Sequence, residues 1–138
     1  MKLPKGFIIQ ELVPPEVYKE LGDRAIWCLC PNALKVLGQL HEDYGAIVVN
    51  NWNTGGTFKY SGFRPKNCTE GAVWSQHRFG RAFDCKFKSQ DVKNVRAEVS
   101  TKARAGHVVY SLIGGIELDV SWFHFDTRVA DALMEFRP

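Results

Sequence analysis

Apolar residues along the chain recur at two different spacings, and the spacing assigns the elements. From Pro31 to Tyr44 the residues Ala33, Leu34, Leu37, Leu40 and Tyr44 recur at steps of three and four, one stripe of an amphipathic helix that Gly45 ends. Pro14 and Pro15 sit where a helix starts, and the segment from Glu16 to about Cys30 reads as helical, with Gly22 as its weak point. Ser89 to Arg104 repeats the helical spacing through Val92, Val95, Val99 and Ala103, with Ser89 or Asp91 as the N-cap. Elsewhere β-branched and aromatic residues dominate. Ala46 to Val49 reads as a short strand entering the glycine-rich loop Asn50 to Gly56. Arg81 to Phe87, Val108 to Ile113 and Ile116 to Asp126 read as further strands, with Gly114-Gly115 as a hairpin turn signal between the last two. Helices followed by a small, mostly antiparallel sheet with a helix in the middle make an α+β layout.

Alternation within the strands sorts their side chains into two faces. In 81–87, Phe83, Cys85 and Phe87 share one face, and Ala82, Asp84 and Lys86 the other. In 122–126, Phe123 and Phe125 oppose Trp122, His124 and Asp126; in 116–121, Ile116, Leu118 and Val120 oppose Glu117, Asp119 and Ser121. Each strand thus has an apolar face and a face bearing His or carboxylate, and in one sheet those polar faces converge. His77 precedes Asp84 by a short stretch in which Gly80 supplies the turn. Two imidazoles and a carboxylate, with one position left to water, suit a catalytic zinc ion. Zinc lowers the pKa of its water to about 7 and polarises a carbonyl. A carboxylate must then move the proton, and Glu117 and Asp119 are the candidates.

Composition narrows the setting. The 138 residues, 45% hydrophobic, suffice for a single domain spanning 1–138 with its own core. Eighteen basic against 15 acidic residues leave a net charge of only +3, no electrostatic case for nucleic acid. Cys28, Cys30, Cys68 and Cys85 form no C-x-x-C pair and read as reduced thiols, Cys85 as buried and not a ligand. No segment is long enough to span a membrane, and Met1 to Ile9 lacks a continuous apolar core for export. The expectation is a monomer made in the cytoplasm without its own signal peptide. His41 reads as packing or surface, His107 as a strand-entry residue and Trp27 as buried. Trp52, Trp74 and Trp122 divide between groove and core. Asp126 either orients a ligand histidine or only pairs with Arg128.

The stretch Ser75-Gln76-His77-Arg78-Phe79-Gly80-Arg81-Ala82-Phe83-Asp84 matches S-x-H-x-x-G-x-A-x-D at every fixed position, and Trp122-Phe123-His124-Phe125-Asp126 resembles its W-x-H-x-D partner. Together they resemble the D-alanyl-D-alanine carboxypeptidase and L-alanyl-D-glutamate endopeptidase group of zinc peptidases, which includes phage endolysins and shares its fold with the Hedgehog signalling domain. Ser61-Gly62-Phe63-Arg64-Pro65 also resembles that group's arginine-bearing strand end, and the resemblance covers roughly Ala46 to Arg128. It implies a bacteriolytic metalloprotease cutting peptidoglycan stem peptides. His77, Asp84 and His124 fall on the metal ligands. Arg64 falls on a substrate-facing arginine that binds a carboxylate or a tetrahedral oxyanion. Ser75 shapes the motif's turn and hydrogen-bonds near the substrate. Many members carry an acid three positions before the last histidine, where this chain has Ser121; others carry it five before, which favours Asp119 over Glu117 as the base. The resemblance further implies action on the cell wall after phage-type release. A catalytically inactive, zinc-holding module that binds wall peptide or a protein, and a cytoplasmic dipeptidase acting on free D-alanyl-D-alanine, are the rival readings.

Overall fold

Three α-helices form among the described residues. In the computed structural model, which describes residues 2–138, α1 spans Pro15–Leu21, α2 Pro31–Tyr44 and α3 Val92–Arg104. The α2 stripe is buried as its spacing requires: Ala33, Val36, Leu37 and Leu40 are fully enclosed, and the helix packs on the central sheet. Asp91 caps α3, its carboxylate accepting the Lys93 N–H at 2.8 Å, while Val95 and Val99 enter the core. The helix expected over 16–30 is split, because Gly22 takes a positive φ and ends α1. Beyond it, 3-10 turns run over Gly22–Cys28. There Ala25 faces the core. Trp27, two residues on at three residues per turn, points away and is 72% exposed, contrary to its expected burial.

The sheet has five strands in the order β1-β2-β4-β3-β5, with β1 at Ile47–Val48, β2 at Ala82–Phe87, β3 at Gly115–Glu117, β4 at Phe123–Asp126 and β5 at Met134–Phe136. All neighbours are antiparallel except β3 and β5, which run parallel. The result is an α+β architecture on a mixed sheet. Phe83, Cys85, Ile116, Phe123 and Phe125 are completely buried on one face, as the alternation requires. The opposite face carries Asp84, Lys86, Glu117 and His124, which line one cavity.

Two expected strands differ from what forms. Residues 108–113 contain a 3-10 turn at Tyr110–Leu112 instead of a strand. The His107 Nδ1 accepts the N–H groups of Val109 and Tyr110, both at 3.2 Å, so these donors are satisfied locally and cannot join a ladder. His107 is thus a turn cap and not a strand entry. Tyr110 is buried, its hydroxyl donating to Asp43 at 2.6 Å. The alternation expected over 116–121 stops at Glu117, where β3 ends, and the chain reverses before β4, with Asp119 at φ 60. The Arg96 guanidinium holds this turn by donating to the carbonyls of Val120 and Trp122, each at 2.9 Å. Gly114-Gly115 is therefore not the hairpin turn. Gly115 lies within β3, paired with Asp126 and Met134. The edge strand β5 was not anticipated.

Candidate metal centre

Strand register assembles the centre. Asp84 in β2 and His124 in β4 are direct cross-strand partners, and Ile116 pairs with Phe125, so one further step sets Glu117 of β3 opposite His124. Glu117 in turn pairs with Phe136 of β5, whose ring meets the His124 ring edge-on with centroids 5.6 Å apart. Asp84, His124, Glu117 and Phe136 thus form a row across four strands. His77 enters from the 3-10 turn Gln76–Phe79, in which Ser75 is the N-cap and its hydroxyl accepts the His77 N–H at 3.4 Å. Gly80 closes that turn at φ 68, and a Cβ there would lie 1.9 Å from the Cys28 carbonyl oxygen. Only glycine satisfies both conditions.

One nitrogen of each histidine and an Asp84 oxygen lie within 4.8 Å of one another, and all three residues are buried. Asp84 Oδ1 is 3.3 Å from His77 Nε2 and 2.8 Å from His124 Nδ1. The remaining nitrogens are occupied. His77 Nδ1 is 2.8 Å from the Gly62 carbonyl, and His124 Nε2 is 3.2 Å from Asp126 Oδ2. Since a carbonyl and a carboxylate only accept, they place the imidazole protons on those atoms and aim His77 Nε2 and His124 Nδ1 at Asp84. Asp126 is fully buried and also bound by the Arg128 guanidinium at 2.7 and 2.6 Å. Asp126 therefore does not only pair with Arg128; it contacts His124 as well.

The charge balance favours a cation between these groups. Burial lowers the His77 pKa. Burial also pulls His124 down, but hydrogen bonds to Asp126 and Asp84 outweigh it and raise its pKa to about 9. Burial works against ionisation of Asp84, yet the two histidines hold its carboxyl below the usual carboxylate range. Arg128 and His124 likewise overcome burial and hold Asp126 at about 2. Ionised carboxylates thus bracket His124, which keeps a proton between its Nδ1 and Asp84; a metal cation bound there takes the place of that proton. The donor set of two imidazole nitrogens and one carboxylate fits a divalent ion with an open position.

The centre opens into a cavity of about 860 Å³. Arg64 lines it, its Nε donating to the Tyr60 carbonyl at 2.8 Å and its Nη2 lying 3.4 Å from Asp84 Oδ2. Ser75 and Trp122 also line it, as does Trp74. Trp52 does not; its indole N–H donates to the Val13 carbonyl at 2.9 Å. Glu117 is inside, its Oε2 3.9 Å from His124 Nδ1. Asp119 is outside, 64% exposed and paired with Arg137 at 2.5 Å. Ser121 is exposed, and His41 lies elsewhere, against Phe7. Cys85 is completely buried in the core, where burial pushes its thiol up, and all four cysteines are free.

Three supporting residues escaped the sequence reading. Asn50, 2% exposed, donates to the Val13 carbonyl and accepts the Ser61 N–H, tying down the segment before Arg64, which is a loop and not the strand end the resemblance implied. The Lys86 ammonium donates to the Val49 carbonyl, the Ser61 hydroxyl and the Asp84 carbonyl at 2.6, 2.9 and 3.3 Å. Arg78 donates to the carbonyls of Pro65, Lys66, Cys68 and Ala72, clamping the loop above the cavity. Lys86 falls on the polar face with Asp84 and could have been found by alternation; the other two bind backbone far away in sequence and leave no pattern. Among the described residues, no helix is long and apolar enough to cross a membrane. No protein-family model, curated protein or solved structure matches the chain.

Proposed function

We propose that the protein is a zinc peptidase hydrolysing an amide bond in peptidoglycan peptides, of the D-alanyl-D-alanine carboxypeptidase and L-alanyl-D-glutamate endopeptidase type and with that group's Hedgehog-like fold. The observation that carries this reading is the paired tautomer control at His77 and His124: each ring has one nitrogen fixed to a backbone or carboxylate acceptor and the other directed at Asp84. A plain hydrogen-bonded core histidine needs no such arrangement twice. The two sequence motifs that suggested the family meet at this point.

A zinc ion held by His77, Asp84 and His124 would supply an acidified water and a Lewis acid for the scissile carbonyl. Glu117 is the proton carrier, because its carboxylate reaches the cavity beside His124 whereas Asp119 is engaged with Arg137 outside it. It takes the proton of the attacking water and passes it to the leaving amine. Arg64 lies across Asp84 from the histidines and presents positive charge where an oxyanion or a peptide carboxylate would lie. The setting that fits this chemistry is lysis of a bacterial wall after phage-type release.

The test combines metal content with release of amino groups from purified peptidoglycan. Stoichiometric zinc and amide cleavage are expected, with Glu117→Gln retaining zinc but losing turnover by about 10²- to 10⁴-fold. Asp119→Asn should behave as the parent. If the two variants exchange behaviour, Glu117 is not the base. Zinc without cleavage on any wall type or on free dipeptide would transfer the site to a binding module, and absence of zinc would remove the metal centre itself.

A further inference from the structure

Three large apolar side chains stand exposed together next to the metal cavity: Val73 at 73%, Trp74 at 79% and Phe79 at 46%. The Trp74 and Phe79 rings are nearly parallel, 5° apart, with centroids separated by 6.4 Å. In this stacked pair Trp74 offers most of the exposed surface, an aromatic shelf backed by Phe79. The Arg81 guanidinium lies over the Phe79 ring, 5.9 Å from its centroid, and brings hydrogen-bond donors beside Trp74 and Phe79. Trp74 also lines the cavity, so the shelf is continuous with the proposed reaction site.

A loop free to move would fold such rings down and cover them. This loop is held in place. The Ser75 N–H donates to the Ala72 carbonyl at 3.1 Å, the Arg78 N–H to the Ser75 carbonyl at 3.0 Å, and the Arg78 side chain spans four carbonyls between Pro65 and Ala72. The loop therefore presents Trp74 preorganised, with the ordering entropy spent in folding and not in binding.

We propose that this shelf binds a sugar ring of the glycan strand to which the stem peptide is attached. The inference rests on the peptidase reading for the identity of the polymer. Two rings and a valine are far smaller than the roughly 800 Å² per partner that a stable protein interface needs. They match instead the flat C–H face of a pyranose, which stacks on aromatic rings while its hydroxyl and acetamido groups remain at the edge for Arg81 and water. A peptide held in the cavity leads its sugar past Trp74. The shelf adds affinity for the polymer next to the proposed reaction site.

The test uses the intact protein and two readouts. Titration with an N-acetylglucosamine tetramer, followed by tryptophan fluorescence and by amide shifts, should show saturable binding centred on residues 73–81. Trp74→Ala should weaken it about tenfold, and Phe79→Ala should weaken it as well. On the enzymatic side, Trp74→Ala should lower the ratio of cleavage rate on glycan-linked muropeptide to that on the free stem peptide. Oligosaccharide binding that is absent, or that survives both substitutions, overturns the proposal, whatever the hydrolysis shows. A protein that cleaves nothing yet binds the sugar at Trp74 would leave the shelf standing and remove only the peptidase reading.

Discussion

Replacing Asp126 by Asn tests the tautomer lock directly. The Asp126 carboxylate is completely buried and accepts on both oxygens: Oδ1 takes the Arg128 backbone N–H at 3.2 Å and Nε at 2.7 Å, while Oδ2 takes Arg128 Nη2 at 2.6 Å and lies 3.2 Å from His124 Nε2. An asparagine offers one oxygen and one NH₂. If the oxygen stays with the Arg128 backbone and Nε, the NH₂ confronts His124 Nε2, which must then accept. The proton moves to His124 Nδ1 and the metal loses that lone pair. If the side chain flips, the NH₂ meets two Arg128 donors instead. The first arrangement loses one of the four hydrogen bonds and reverses another, whereas the flip loses two, so the unflipped form is favoured. Bonds to charged groups contribute about 1.5–3 kcal/mol each, and Arg128, with 27% of its side chain exposed, regains water, so the loss in stability should be about 2 kcal/mol. That corresponds to a Tm lower by about 6–8 °C in calorimetry of the metal-free protein. Zinc affinity, measured by competition with a chromogenic chelator, should fall by about 10- to 100-fold. Arg128→Gln is the control: it breaks the ion pair but leaves the carboxylate to hold His124, so stability should drop with a smaller effect on zinc. Asp126→Asn protein that is less stable yet binds zinc within twofold of the parent would refute the lock.

Gly80→Ala should lower stability by at least about 2 kcal/mol, since the left-handed conformation alone costs an L-residue about 1–2 kcal/mol and the added Cβ would also press on the Cys28 carbonyl; urea unfolding checks it, and a change under 1 kcal/mol would show that the turn relaxes freely. Tyr60 donates to Glu16 at 2.7 Å, and this hydrogen bond, with burial and the Glu16 charge, pushes its phenol up to about 12. Because the folded pKa is raised, the contribution to stability is complete below about pH 10, the ordinary tyrosine value, and is lost as pH rises through about 12. Tyr44 and Tyr110 are raised further, chiefly by burial, so phenolate absorbance should show Tyr60 as the earliest of three late-titrating tyrosines, and Glu16→Gln should return that one toward the ordinary value; an unaltered titration curve would exclude the pairing.

Much of the fold was legible because burial imposes periodicity. The α2 stripe and the alternation in β2 and β4 answer to a single neighbour, the core, and a one-residue error would expose Leu37 or Phe83. Where local hydrogen bonding competes, periodicity misleads. Val108 and Val109 have the composition of a strand, but His107 caps their turn, and Val108 is 83% exposed. The segment at Met134–Phe136 is too short and too exposed to carry an alternating pattern, and it becomes a strand only because β3 offers it an edge. Trp27 shows the same limit, since helical type and not residue type decides which way it points.

At the site, the His77, Asp84 and His124 cluster could be read from the chain while the carboxylate that faces it could not, and the reason is register. Alternation places Glu117, Asp119 and Ser121 on one side of a continuous strand and leaves open which of them stands opposite His124. Pairing Gly115 with Asp126 and Ile116 with Phe125 decides it for Glu117, and the reversal at Asp119 then carries that carboxylate out to Arg137. Gly114-Gly115, which read as a turn signal, is what permits this pairing. A Cβ on Gly115 would lie 2.7 Å from Asp126 Oδ2 and 2.9 Å from Arg128 Nε, and one on Gly114 would lie 2.2 Å from the Arg128 carbonyl oxygen. The glycines leave room for the buried Asp126–Arg128 pair to lie across β3. The same pair orients His124, so the choice of the carboxylate facing the cavity and the choice of the nitrogen facing Asp84 follow from one packing requirement, the space left by two absent side chains.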